Sequence, residues 1–120
     1  MRLTGPEWTI MNALWADHPA TARMIHEAVS PSADWAYDTV RTILNRLARK
    51  GIVKSQVIGN TAHFEPLLSR DEARRTALGW IKAKAFGGAS SSLLHFLVSE
   101  EELSEKERQE LAKLFRELED

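Results

Sequence analysis

The chain has 120 residues and a mass of 13.6 kDa, the size of one small domain or of a domain with an appendage. Hydrophobic residues make up 43% and charged residues 28%, a globular composition that excludes a wholly disordered protein. The lack of cysteine excludes disulfide scaffolds, cysteine-ligated metal sites and cysteine nucleophiles. The sequence has neither an apolar run of roughly 18 residues nor a secretory signal pattern, which predicts a cytoplasmic protein without membrane insertion.

Charge is nearly balanced, with 16 basic and 17 acidic residues, but it is unevenly distributed along the chain. Residues 41–54 carry five basic side chains and no acidic one, whereas residues 99–120 carry nine acids and four bases. A basic stretch in the first half is typical of a surface that binds a polyanion. Two solvated helix faces would give the same counts, so charge alone leaves both interpretations open.

Three helix starts are marked by a hydroxyl residue three positions before a glutamate, which is the spacing of a capping box. Apolar residues at helical spacing follow each start. A further helix is predicted to begin near residue 21 and to end before Ser30-Pro31, because a residue before proline disfavours helix. The capping pairs are Thr4 with Glu7, Ser69 with Glu72, and Ser104 with Glu107.

A helix is also predicted over residues 36–50, with Gly51 as its C-terminal stop. Residues 52–58 and 61–65 are predicted strands, and Gly59-Asn60 between them suits the two-residue turn of a hairpin. Three helices followed by a hairpin are typical of a winged helix-turn-helix, whose third helix enters the major groove of DNA. The apolar side of that helix carries Val40, Ile43, Leu44 and Leu47.

The predicted fold is therefore mainly α, with a winged helix-turn-helix domain over residues 1–67 and a three-helix dimerisation region over residues 68–120. A short helix is expected over residues 91–98, after a break at Gly87-Gly88. A helical tail of this length buries little surface by itself. Its apolar stripe is predicted to meet a second copy of the chain, and folding back onto the first domain is the alternative.

The outward face of the helix at residues 36–50 has the side chains that read DNA. Arginine pairs with guanine, asparagine with adenine, and threonine contacts a thymine methyl group or a phosphate. Asp38 suits the first turn of a helix and can accept a hydrogen bond from a cytosine amino group. Lys54 and Asn60 are predicted to lie near the flanking phosphates. The outward residues are Asp38, Arg41, Thr42, Asn45, Arg46 and Arg49.

The string AYDTVRTILNRLARKGIV, residues 36–53, resembles the recognition helix of the penicillinase-repressor family, the BlaI/MecI type. Further matches follow in family order and cover nearly the whole chain: EWTIMNALW, ATARMI, HFEPL, AFGG, SLLHFL and EELSEKERQEL. The resemblance implies a homodimeric transcriptional repressor that binds double-stranded DNA through the winged helix and dimerises through three C-terminal helices. It also implies operators that are dyads with TACA and TGTA half-sites.

By this resemblance, Arg41 and Thr42 match base-contacting positions, and Thr39 and Arg46 lie near phosphates. Asp38 departs from relatives that carry lysine there, which leaves the operator sequence of this chain open. Family members are typically inactivated when a membrane metalloprotease that senses β-lactam leads to cutting of an Asn–Phe bond. The matching pair is His95-Phe96, which keeps only the phenylalanine.

The resemblance thus implies release by proteolysis at His95-Phe96 in response to β-lactam or cell-envelope stress, with a membrane metalloprotease as a partner. An ordinary place for Phe96 in the dimer core is the alternative. The copper-sensing branch of the family uses a cysteine-rich tail, so this chain is not of that type. The predicted dimerisation residues are Trp80, Leu94, Phe96, Leu97, Leu111, Leu114, Phe115 and Leu118.

No catalytic or metal-binding pattern stands out, so no enzyme, cofactor or metal is expected. The four histidines lack ligand spacing, and the serines beside Gly87-Gly88 lack a GxSxG motif. The main rival function is a winged-helix protein-interaction module without sequence-specific DNA binding. A small helical hydrolase is the weaker rival, because no pair of candidate catalytic groups is present. The histidines are His18, His26, His63 and His95.

Overall fold

The computed structural model describes residues 2–100, 104–107, 109, 110, 113 and 116. Contacts divide the chain into two compact units, residues 1–76 and residues 77–120. Within the described part of the chain, no helix has the length and apolar character needed to cross a membrane. The elements are α1 (Gly5–Ala16), β1 (Ala20–Thr21), α2 (Ala22–Val29), α3 (Tyr37–Arg49), β2 (Val53–Ile58), β3 (Thr61–Pro66), α4 (Arg70–Ala85) and α5 (Ser90–Glu100).

Helix starts lie where the hydroxyl and glutamate pairs predict them. The Thr4 hydroxyl accepts from the Glu7 backbone N–H at 3.3 Å, and the Glu7 carboxylate accepts from the Thr4 N–H at 2.9 Å, which completes a capping box. Ser104 and Glu107 make the same reciprocal pair at 3.1 and 3.2 Å. Helix α3 begins without a side-chain cap, so packing rather than a cap fixes where it starts.

Among the described residues, the hydrophobic core cluster lies within residues 3–73, in the first unit. The four apolar residues of α3 are buried as predicted, and they pack with residues from α1, α2 and the sheet. In α1 the buried residues include Ile10 and Leu14, whereas Trp8 and Trp15 are only half-buried at the edge of the core. The indole N–H of Trp15 donates to the Leu68 carbonyl at 2.9 Å, a polar contact that suits an edge position.

The hairpin of β2 and β3 belongs to a three-stranded antiparallel sheet in the order β1-β3-β2. Ile58 pairs with Thr61 across the turn, and Gly59 takes a φ of 67° at the first of the two turn positions. That position needs a positive φ in a type II′ turn, which favours glycine. Strand β1 was not predicted. It has two residues, too few for an alternating pattern, and it exists only through its pairing with β3.

A buried carboxylate joins the start of α1 to the end of α3. Glu7 is 1% exposed, and its Oε2 lies 2.7 Å from the Nζ of Lys50, the residue that follows α3. Burial would raise the pKa of Glu7, but hydrogen bonds and charge from Lys50, together with hydrogen bonds from Thr4, outweigh burial and hold this pKa below its ordinary value. This ion pair therefore fixes the C-terminal end of α3 against α1.

The second unit has a different character in its described residues. Leu93 on α5 is the one buried hydrophobic residue there, and Phe86 and Phe96 have ring centroids 5.6 Å apart. Gly87 takes a φ of 58° just after α4, where the left-handed region ends a helix. The short helix predicted over residues 91–98 is confirmed and is slightly longer. The predicted interface residues Leu111, Leu114, Phe115 and Leu118 lie outside the described residues.

Candidate nucleic-acid interface

Helix α3 presents a continuous polar face to solvent on the side opposite the core. We call the exposed residues of α3 between Asp38 and Arg49 the recognition face. In α3 the apolar positions are buried and the polar positions are not, because the hydrophobic residues repeat at helical spacing. The predicted DNA-binding residues are all exposed: Asp38, Thr39, Arg41, Thr42, Asn45, Arg46 and Arg49 on α3, and Lys54 and Asn60 on the hairpin.

An open cleft of about 520 Å³ lies between α2, α3 and the turn of the hairpin. Arg41 and Asn45 of α3 line it, and so does Asn60 of the turn. The structure therefore brings together three of the residues that the sequence predicted separately. Thr39, Arg46 and Arg49 are exposed on α3 outside the lining of this cleft.

Sequence reasoning missed two residues that line this cleft and have side chains of types that can contact DNA. Arg23 lies in the first turn of α2, and Tyr37 is the first residue of α3. Arg23 adds a positive charge beside the N-terminus of α2, where backbone N–H groups favour an anion such as phosphate. The sequence contained a signal for Arg23, which is the arginine of ATARMI. A positive charge on the helix before the recognition helix strengthens the attraction to phosphates.

Arg41 has two neighbours from its own helix. Its NH1 atom lies 3.7 Å from Oδ1 of Asp38, and its guanidinium carbon lies 5.9 Å from the centre of the Tyr37 ring. The Thr42 hydroxyl donates to the Asp38 carbonyl at 2.9 Å. Thr42 therefore retains its methyl group and the accepting side of its oxygen for contacts with DNA.

Lys54 lies on the face of the hairpin opposite to the one that borders the cleft. Side chains alternate along a strand, so Lys54 and Ile58 share a face with His63 and Glu65, whereas the buried Phe64 faces the core. Lys54 is also directly opposite Glu65 in the pairing of β2 with β3. The alternation of residues 52–58 could have separated Lys54 from the recognition face at the level of sequence.

Three helices, a small antiparallel sheet with a hairpin, and an arginine-bearing outward face on the third helix define a winged-helix DNA-binding protein. A sequence profile described as Penicillinase repressor matches residues 3–117. The chain belongs to the penicillinase-repressor family, which confirms the predicted family and its winged helix-turn-helix fold class.

Individual relatives agree with this assignment. The chain is 30% identical over 110 residues to the methicillin resistance regulatory protein MecI of Staphylococcus aureus strain N315, covering 91% of this chain and 89% of the relative. It is 38% identical over 100 residues to the transcriptional regulator BlaI of Mycobacterium tuberculosis strain H37Rv, covering 80% of this chain and 72% of the relative. Both relatives are regulatory proteins by name.

Two solved structures share the fold. The DNA-binding domain of the repressor BlaI matches with a TM-score of 0.53 at 20% identity, over 60% of this chain and 93% of that one. The monomeric form of Bacillus licheniformis BlaI, solved in complex with the blaP half-operator, matches with a TM-score of 0.53 at 19% identity, over 60% of this chain and 88% of that one. These similarities establish the winged-helix fold.

Family membership also decides between the function classes. Members of the family are transcriptional repressors and not enzymes, which agrees with the prediction that this chain is not an enzyme. It favours a repressor over a protein-interaction module without DNA binding. Among the residues that the structure describes, no group of three or more histidine, aspartate or glutamate side chains is arranged to hold a metal ion.

Proposed function

We propose that this protein represses transcription in the cytoplasm by binding, as a homodimer, to a dyad operator in double-stranded DNA. The observation that carries the proposal is the recognition face of α3 beside the cleft, where Arg41, Asn45 and Asn60 converge. The relative solved with a half-operator supports DNA as the ligand of this fold. Arginine and asparagine at such a face supply hydrogen bonds to guanine and adenine edges.

The second unit supplies the dimer in this proposal. Trp80, Ile81 and Phe96 are 45%, 40% and 50% exposed, and burial of these large apolar side chains would stabilise an assembly. A second copy of the chain would cover such side chains. Two copies would insert two α3 helices into half-sites about one helical turn, or roughly 34–36 Å, apart or at a multiple of that spacing.

Relief of repression follows from loss of the dimer in this proposal, because one winged helix alone has few phosphate contacts and binds weakly. The candidate bond for proteolytic release is His95–Phe96, with a membrane metalloprotease as the sensing partner. Both residues have exposed side chains on α5, and Phe96 also packs against Phe86. Cutting there would leave Phe86 and Phe96 on different fragments of the second unit. Mass spectrometry of the protein from cells treated with a β-lactam tests this step.

Fluorescence anisotropy with two DNA duplexes tests the proposed function. One duplex has the sequence upstream of the protein's own gene, and the other has the same bases in scrambled order. We expect tight binding to the first duplex alone, and binding that weakens steeply between low and high salt as counterions are displaced from the phosphates. Absence of binding to either duplex would overturn the proposal in favour of a protein-interaction module.

Substitutions on the recognition face separate reading of bases from attraction to phosphates. We expect Arg41→Ala and Thr42→Ala each to weaken binding to the operator by about 1–3 kcal/mol, with little effect on the scrambled duplex. Lys54→Ala is the matched control for base reading: Lys54 is an exposed cation outside the recognition face, so its loss should leave the preference for operator over scrambled DNA unchanged. Equal losses on both duplexes would mean that Arg41 and Thr42 do not read bases.

A further inference from the structure

Asp38 is the acidic residue of an otherwise neutral or basic recognition face. Residues 37–50 contain Arg41, Arg46, Arg49 and Lys50 but no other carboxylate. A carboxylate beside a DNA groove is repelled by phosphates, so Asp38 weakens attraction to all DNA regardless of sequence. A favourable contribution of Asp38 to DNA binding must therefore come from a contact that depends on the DNA sequence.

The geometry around Arg41 suggests such a contact. The Asp38 carboxylate lies 3.7 Å from one nitrogen of the Arg41 guanidinium, and the Tyr37 ring lies 5.9 Å from its central carbon. Arg41 is thus flanked by an anion and an aromatic ring that both come from the first turn of α3. Each interaction is weak alone at an exposed site, but together they favour one region of side-chain rotamers.

The ring beside Arg41 is itself held in place. The Tyr37 ring meets the His26 ring edge-on, with centroids 6.0 Å apart. Nε2 of His26 lies 2.8 Å from the Trp35 carbonyl oxygen, which ties His26 to the segment before α3. The orientation of Arg41 therefore rests on side chains from both α2 and α3.

An arginine reads guanine by two parallel hydrogen bonds, to O6 and N7, and both require the guanidinium plane to be aligned with the base. A free arginine side chain loses considerable rotamer entropy when it adopts that alignment. A side chain that is already restricted before binding loses less, so the correct base is favoured more strongly. A carboxylate on one edge of the guanidinium leaves its other edge available to the base.

We propose that Asp38 is a specificity-determining residue, which orients the Arg41 guanidinium to read a guanine in the operator. This inference rests on the proposed DNA-binding function and specifies guanine as the base that Arg41 reads. Asp38 lowers general affinity for DNA and raises selectivity through Arg41. It acts as a positioning residue, since its own carboxylate contacts Arg41 and not the base.

The test is a selection from a pool of randomised DNA duplexes, which requires no knowledge of the operator. The full-length wild type, Asp38→Asn, Arg41→Ala and the double variant each select from the same pool, and the bound duplexes are sequenced. Asp38→Asn keeps the size of the side chain and removes its charge. Asp34→Asn is the matched control, because it removes an exposed carboxylate shortly before α3.

We expect Arg41→Ala to remove the preference for one guanine in each half-site. Asp38→Asn should weaken the preference at the same guanine about tenfold, which corresponds to the lower part of the range for a bidentate contact. The double variant should lose no more than Arg41→Ala, and Asp38→Glu, which can still reach Arg41, should restore the preference in part. Asp34→Asn should select the same sequences as the wild type.

Three results would overturn the inference. Asp38→Asn could change the preference at a base that Arg41→Ala leaves unchanged, which would mean that Asp38 reads its own base, such as cytosine. It could leave every preference intact and tighten binding to all duplexes, which would mean that Asp38 only repels phosphates. It could weaken all preferences equally, together with the helix content measured by circular dichroism, which would make Asp38 a helix-stabilising residue alone.

Failure of the proposed function has a separate signature in the same experiment. A wild type that enriches no sequence from the pool contradicts sequence-specific DNA binding itself, whatever the variants do. A wild type that enriches a dyad sequence, with Asp38→Asn enriching the same sequence to the same degree, contradicts the role of Asp38 and leaves the repressor function intact.

Discussion

The two units of this protein differ in how completely each buries its own apolar side chains. Residues 3–73 supply every member of the main core cluster, including α3 residues that are fully buried. Among the described residues of the second unit, Leu93 alone is a buried hydrophobic residue, while Trp80, Ile81 and Phe96 are exposed. The first unit has the core of an independent domain, and in the proposed dimer the exposed apolar side chains of the second unit lie at the interface.

This difference indicates a division of labour along the chain. A recognition helix must be held rigidly, because base contacts depend on placing side chains to within a fraction of an ångström. The core beneath α3 and the ion pair of Glu7 with Lys50 meet this need inside one protomer. In the proposed dimer, DNA affinity depends on assembly through the second unit, and this dependence is a point where repression can be switched off.

The largest expected effect is on the stability of the first unit. Leu44→Ala removes a fully buried side chain beneath the recognition face and should lower the free energy of unfolding by about 2–5 kcal/mol. Leu67→Ala is the control, because Leu67 is 59% exposed and its truncation should cost less than about 0.5 kcal/mol. Urea denaturation measures both. Similar small losses for the two variants would contradict the assignment of a self-sufficient core.

The next effect concerns the second unit. Ile81→Asp places a charge among exposed apolar residues of α4, and we expect the dimer dissociation constant to rise about tenfold to a hundredfold, since burying an unpaired carboxylate is costly. Gly79→Asp is the control: Gly79 is exposed, a Cβ there meets nothing within 4 Å, and it lies about 160° around the helix from Ile81, so the dimer should stay intact. Sedimentation at several protein concentrations measures both. An unchanged dimer in Ile81→Asp would remove α4 from the interface.

A smaller effect is expected from the ion pair inside the first unit. Glu7→Gln leaves Lys50 without its anionic partner and should lower the free energy of unfolding by about 1–3 kcal/mol at neutral pH. Because the folded protein lowers the pKa of Glu7, this stabilisation is present above the ordinary pKa and is lost as pH falls through the lowered one. The wild type should therefore lose its advantage over Glu7→Gln in acid. A constant difference at every pH would contradict this account.

The smallest expected effect distinguishes a phosphate contact from a base contact on the recognition face. Arg46→Ala should weaken binding to operator and scrambled DNA alike and should reduce the slope of log affinity against log salt by about 1, as expected for one lost phosphate contact. Anisotropy titrations at several salt concentrations measure the slope. Loss of selectivity with an unchanged slope would assign Arg46 to base reading and not to the phosphates.

Much of the first unit was predictable because its signals are local. Capping pairs set the starts of α1 and α4, and the spacing of Val40, Ile43, Leu44 and Leu47 identified the buried side of α3. Gly59 and Asn60 located the turn of the hairpin. Each of these features lies within a few residues of sequence, where helix and strand periodicity applies directly.

The remaining features depend on residues that are distant in sequence. The partner of Glu7 is 43 positions away, so the capping box predicted its local contact and not its burial beside Lys50. Strand β1 exists only through pairing with β3. In α5, Leu94 stays a predicted interface residue and is half-buried, whereas Leu93, which the sequence did not single out, is buried by packing inside its unit.

The candidate site was predictable as a face but not as a cleft. Residues at helical spacing placed Arg41 and Asn45 on one side of α3, and the structure adds Asn60 from the turn and Arg23 from α2. Only the tertiary fold brings these three elements together. Lys54 was grouped with them by its charge, although strand alternation places it on the other face of the hairpin.

The most direct test of the division of labour compares duplexes with one and two half-sites, taken from the randomised selection. Anisotropy measures the affinity of the wild type and of Ile81→Asp for each duplex. We predict that the wild type binds the two-site duplex far more tightly than the one-site duplex, and that Ile81→Asp binds both with nearly the weak one-site affinity. A variant that keeps the full preference for two half-sites would contradict the claim that the second unit joins two DNA-reading units.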